Sequence, residues 1–111
     1  MGAVPDFWLA KGDRAPSIQV ALLNADDTPI DLTGCTVVFR TRPKNKSDVL
    51  SGGACTIVSA VGGIVRYDWV LTDTDPVGIY LGEWMVTFAS GKEMTVPSDK
   101  PVEIAVRDRL T

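Results

Sequence analysis

The stretch DTDPVGIYLGEWMVTF, residues 73–88, decides the fold. From 79 to 88 its side chains alternate, with Tyr80, Trp84, Val86 and Phe88 on one face and Glu83 and Thr87 on the other. Extended backbone turns successive side chains to opposite faces, so a period of two marks a strand buried on one side. Asp73, Asp75 and Pro76 before it are turn formers, and Ser90-Gly91 after it is a hairpin signal. The stretch therefore reads as a long, half-buried strand between two turns.

The same pattern spreads outward in both directions. Gly62 and Gly63 make a tight turn into Val65, Tyr67 and Trp69 on one face, with Arg66 and Asp68 on the other. In CTVVFRTR (35–42), Val37 and Phe39 oppose Arg40 and Arg42. Ile18, Val20 and Leu22 share a face against Gln19 and Ala21, and NADDTP (24–29) closes that strand. Ile30 and Leu32 flank Asp31 as a short strand ended by Thr33 and Gly34, while PKNKSDVLSGG (43–53) reads as the longest loop before ACTIVS (54–59) resumes a strand. Pro97 and Pro101 interrupt the segment 93–106, which predicts two short edge pieces, the last with Val102, Ile104 and Val106 on one face. About eight or nine short strands, with no significant helix and no internal repeat, predict an all-β antiparallel β-sandwich.

Composition bounds the rest. A chain of 111 residues fits one domain, 1–111, and buries roughly 65% of its unfolded surface. Hydrophobic residues at 45% and charged residues at 23% are the balance of a globular protein. A net charge of −3 offers no basic footprint for phosphate backbones, so nucleic acid is not an expected partner. No apolar run reaches the roughly 20 residues of a membrane helix and no leader is visible, so neither membrane nor secretion is expected. Cys35 and Cys55 are too few for a disulfide scaffold and are expected to stay reduced as small buried residues.

In immunoglobulin-like sandwiches, a tyrosine near the start of one strand bonds back to upstream backbone and pins the crossover between sheets. Gly78 and Tyr80 match that Asp-x-Gly-x-Tyr-x-Cys register, although Pro76 stands at the acid position with Asp75 one place early, and Gly82 stands at the cysteine. Tyr80 therefore reads as structural, in an immunoglobulin-like sandwich without that bridge. Gly82 on the inward face leaves an empty core position, for which Trp69 or Trp84 is the expected filler.

Chemistry is sparse. Histidine is absent, which removes the usual base, the partner of a serine or cysteine nucleophile and the commonest metal ligand. No catalytic residue, cofactor site or metal site is expected, and the chain reads as a non-enzyme. Asp26-Asp27 and Asp73-x-Asp75 lack the loop of a calcium site and read as turn formers. The basic run RTRPKNK, with Arg40, Arg42, Lys44 and Lys46, reads as a solvated strand end; its functional version is a contact with an acidic partner subunit. Residues 1–11 form a candidate N-terminal arm. Phe7 and Trp8 are adjacent and cannot both face one core from a regular strand, so one of them is a candidate interface residue unless the arm bends to bury both. If the arm is an interface alone, removing residues 1–8 abolishes assembly and leaves the fold.

Two long segments, 12–43 and 62–99, carry a Gly-Asp-x-x-Pro entry, Asp-Leu-Thr-Gly, Val-x-Phe, Val-x-Tyr-x-Trp, Gly-x-Tyr and Val-Thr-Phe-x-x-Gly-Lys, in that order. In this order they resemble the N-terminal immunoglobulin-like domain of bacteriophage baseplate upper proteins and its relatives in tailed-phage tail genes. That family's domain is a non-catalytic virion module that attaches receptor-binding or fibre components to the baseplate. Its members usually continue into a coiled coil or receptor-binding part, whereas this sequence stops at Thr111, and Cys35 replaces a small residue after Thr-Gly. The resemblance implies a structural virion protein, made in the bacterial host cytoplasm, with tail, baseplate or fibre subunits as partners in a symmetric, multi-copy assembly. A neck or capsid decoration protein is one alternative. A carbohydrate- or protein-binding adhesion module is another, and exposed aromatic rings in a groove would be its mark.

Overall fold

The computed structural model describes residues 7–11, 17–44, 51–69, 77–97 and 100–108. The described residues form nine strands, all but the fourth carrying β-branched or aromatic residues: Phe7–Ala10 (β1), Ile18–Ala21 (β2), Thr36–Pro43 (β3), Ser51–Ala54 (β4), Thr56–Ser59 (β5), Ile64–Tyr67 (β6), Gly78–Thr87 (β7), Glu93–Val96 (β8) and Val102–Arg107 (β9). They make an all-β, immunoglobulin-like sandwich of two sheets. The larger runs β1-β9-β7-β3-β4, with β8 also on β7, and the smaller runs β2-β6-β5.

The longest strand organises the large sheet. On one side β7 pairs antiparallel with β3, from Thr36↔Thr87 to Pro43↔Tyr80. On the other it pairs with β8 along Trp84–Thr87 and with β9 along Gly78–Gly82. The interruption between Pro97 and Pro101 therefore separates two strands that share one neighbour, as their prolines require. β9 is not an edge piece, however, because β1 pairs with it on its far side. That pairing is parallel, from Phe7↔Ile104 to Ala10↔Arg107, the one departure from an antiparallel order among the described strands.

Three further features differ from the sequence reading. The stretch 43–53 is not loop throughout, since β4 begins at Ser51 and pairs Gly52 with Arg40 and Gly53 with Phe39. Glycine is depleted in strands, which hides β4 in the sequence, but a Cβ at Gly52 would lie 2.1 Å from the Phe39 carbonyl oxygen, so only glycine permits this approach. ACTIVS is not one strand: the Cys55 N–H donates to the Val37 carbonyl at 2.9 Å, and the chain then crosses to the small sheet as β5. Ile30 and Leu32 are buried as expected, yet their segment carries only a Leu23↔Pro29 bridge and is tied by Ile30 N–H to Leu22 O and Leu32 N–H to Ala60 O.

The core lies between the sheets, where Leu22, Leu32, Val37, Phe39, Val65, Val86 and Ile104 are almost wholly enclosed. Gly63 closes one end of it. Its φ is +68°, and an added Cβ would stand 2.8 Å from the Leu22 carbonyl oxygen and 2.9 Å from that of Ile30. These are fixed backbone atoms, so the clash has no side-chain remedy. Gly63→Ala is expected to cost on the order of 1–3 kcal/mol, read as a lower melting temperature. Gly91→Ala is the control, with φ +89° but open space around its Cβ, and should lose less.

Candidate interaction surfaces

The inward face of the large sheet takes up most of the singled-out residues. Trp69, Tyr80 and Trp84 are buried in the core. Gly78 opens β7 at φ +140°, with nothing near its Cβ position, so backbone conformation rather than space asks for glycine there. The bond expected of Tyr80 would have its acceptor just upstream, and residues 70–76, with Asp73 and Asp75, lie outside the described residues.

Gly82 is filled differently from expectation. A Cβ there would lie 3.0 Å from Ile104 Cδ1 and 3.1 Å from Phe39 Cε1 and Cζ, so Phe39 and Ile104 occupy the gap rather than Trp69 or Trp84. The reason is register: Gly82 stands opposite Thr41, which puts it beside Phe39 on the same inward face of β3. The tryptophans pack on Phe39 instead, Trp84 at 4.8 Å and Trp69 edge-on at 5.8 Å between ring centroids. Gly82→Leu would drive a branched side chain into a rigid ring and is expected to cost on the order of 1–3 kcal/mol; an unchanged melting temperature would show that the position can open.

The outward face carries the candidate interface residues. Residues 7–10 are β1, part of the large sheet rather than an arm, and residues 1–6 lie outside the described residues. Phe7 turns inward and packs partly against the core, while Trp8 turns outward and is 62% exposed. The arm thus does not bury both rings. Cutting at residue 8 would remove half of β1 and the Phe7 packing, so a substitution at Trp8 tests the surface more cleanly. Arg40 and Arg42 follow one another along the outer face of β3 with Lys44 just past its end, and Lys44 Nζ pairs with Glu103 Oε2 at 2.9 Å. Lys46 lies outside the described residues.

The remaining polar groups are structural in their geometry. Asp26 Oδ1 accepts from the Thr28 hydroxyl at 2.6 Å and its N–H at 3.2 Å, and Asp31 Oδ1 likewise from Thr33 at 2.7 and 3.0 Å. These bonds hold both carboxyls below the usual aspartate range, the threonine hydroxyl contributing most. The Ser17 hydroxyl, and Arg66 less strongly, do the same for Asp68, clasping the start of β2 to the end of β6. No group of three or more acidic or cysteine ligands occurs among the described residues.

Cys35 is buried and Cys55 half-buried, and both are free thiols. Burial pushes the Cys55 thiol up to about 11 from an ordinary value of 9.0, against a smaller opposing pull from backbone at Phe39. In the unfolded chain this thiol ionises first. The stability tied to its neutral form is therefore complete below pH 9 and lost as pH rises toward 11. Melting temperatures measured across that range should fall less steeply in Cys55→Ala than in the parent; identical slopes would remove the thiol from the account.

The described architecture defines the class, an immunoglobulin-like β-sandwich. Among solved structures, the chain is similar to the N-terminal domain of phage TP901-1 ORF48, with a TM-score of 0.64, 14% identity, and coverage of 92% of this chain and 84% of that one. At this identity the likeness is one of fold. No family model and no curated protein matches the chain.

Proposed function

We propose that this chain is a non-enzymatic structural protein of a tailed-phage virion, a tail, baseplate or fibre-attachment component that assembles through protein–protein contacts. The observation that carries the reading is the shared sandwich, which extends over nearly the whole chain and is found in a domain of a phage protein. The ordered motifs from Gly-Asp-x-x-Pro to Val-Thr-Phe-x-x-Gly-Lys also support it, combining core positions such as Phe39, Tyr67 and Trp69 with exposed turn positions such as Asp31, Gly34 and Gly91. A role in assembly asks for a stable frame with exposed contact groups and for no reactive centre. The chain offers that frame, and it contains no histidine to serve as a base.

The adhesion alternative draws less support. Tyr67, Trp69, Tyr80 and Trp84 are buried, which leaves Trp8 as the exposed indole available to stack on a sugar. Quantitative mass spectrometry of purified tailed particles tests the proposal by measuring copies of this chain against the tail-tube protein. A ratio fitting threefold, sixfold or twelvefold symmetry is expected; absence from the particles would overturn the reading.

A further inference from the structure

We infer that two copies of this chain bind one another through a knob and a groove, with Trp8 of one copy seated between the 21–27 segment and β8 of the other. The knob is built by the sheet. Trp8 pairs with Ala105, and Ala105 with Ile79, so the three form one row across β1, β9 and β7 on the outward face. Ala105 is the low point of the row and buried, whereas Trp8 and Ile79 rise on either side with exposures of 62% and 36%. Apolar surface of this kind is what an interface covers. Charge surrounds it unevenly: Lys11, Arg40, Arg42, Lys44 and Arg107 stand on or beside these strands and the adjoining β3 against Glu83, Glu103 and Asp108, Lys44 and Glu103 being paired with each other.

The groove has the opposite character. Leu23, Ala25, Met94, Val96 and Pro97 line it, and Asp27 is its one charged group. Its volume of about 500 Å³ is ample for an indole, and Leu23 on its wall is 40% exposed. Asp26 stands next to Asp27 in the chain, and its carboxylate accepts from the Thr28 hydroxyl at 2.6 Å. The groove therefore presents an apolar floor with an acidic lip, and the knob an apolar tip in a basic surround. Both β2 and β8 pair with one strand only among the described residues, so the floor lies between two strands that are sheet edges among those residues. Complementary charge favours this seating over contact of two like surfaces, knob on knob or groove on groove.

The contact does not need the virion assignment. Self-association in solution together with absence from particles would keep the contact and remove the virion role, while presence in particles with a monomeric chain would do the reverse. The test is complementation by sedimentation velocity on the full chain. Trp8→Ser removes the knob and Leu23→Glu blocks the groove; both positions are exposed, and thermal melts check that both variants fold. The parent should associate, and more weakly as salt rises. Each variant alone should be monomeric, and the 1:1 mixture should form a complex of two chains through the one intact knob and the one intact groove. Ile79→Glu and Asp27→Lys are a second knob-side and groove-side pair should either first variant melt early. A parent that stays monomeric at its highest soluble concentration, a Leu23→Glu variant that still associates alone, or a mixture that stays monomeric would each overturn the inference.

Discussion

The ring of Phe39 occupies the space that Gly82 leaves open within the large sheet, and from there it reaches across to the small one. From this position Phe39 touches Tyr67 at 5.1 Å, Trp69 at 5.8 Å and Trp84 at 4.8 Å between centroids, and Tyr67 in turn meets Trp69 edge-on. Tyr67 belongs to the small sheet and Trp84 to the large one, so one side chain joins both layers. Aromatic pairs at such distances contribute about 0.5–1.5 kcal/mol each beyond area burial. They form only because β7 carries no side chain at the point where the ring lies, which makes a missing Cβ the condition for the core.

The surface follows from the same strand. Because β7 is ten residues long, it outruns any single partner on its β8 side and accepts two in succession. The second of these, β9, presents a free edge that takes up β1 in parallel. Parallel addition sets the parity of β1: Phe7 and Leu9 must face Ile104 and Val106 inside, so Trp8 must face out. The exposed indole is thus a consequence of register. On the same side of β7, β8 ends at Val96, and Met94 and Val96 line a groove.

Local reading found the strands that alternate and missed those that do not. β3, β6 and β7 announce themselves through Val37 and Phe39, Val65 and Tyr67, and Tyr80 to Val86, because each has one face that water rejects. β4 is written in Ser, Gly and Ala and has no such signal; its pairing depends on a backbone approach that appears only when Gly52 lies over Phe39. Ile30 and Leu32 have the right spacing for a strand, but Ile30 bonds to Leu22 across the 24–29 turn and Leu32 to the distant Ala60. The interface residues divided similarly. Adjacency of Phe7 and Trp8 required that one face outward, yet nothing in the sequence said which. Leu23, Met94 and Val96 carried no mark as a groove because they come from segments some seventy residues apart.

By itself the sequence determined an all-β sandwich, the inward faces of its longer strands with Tyr80 and Gly82 among them, and the absence of histidine. These are local properties, since alternation and turn residues act over a few positions and composition needs no coordinates. Tertiary structure decided which ring fills the space at Gly82, that residues 7–10 join β9 in parallel, and that Trp8 projects while Phe7 packs. Each of these depends on register between strands distant in sequence, where a shift of one residue exchanges the buried face for the exposed one.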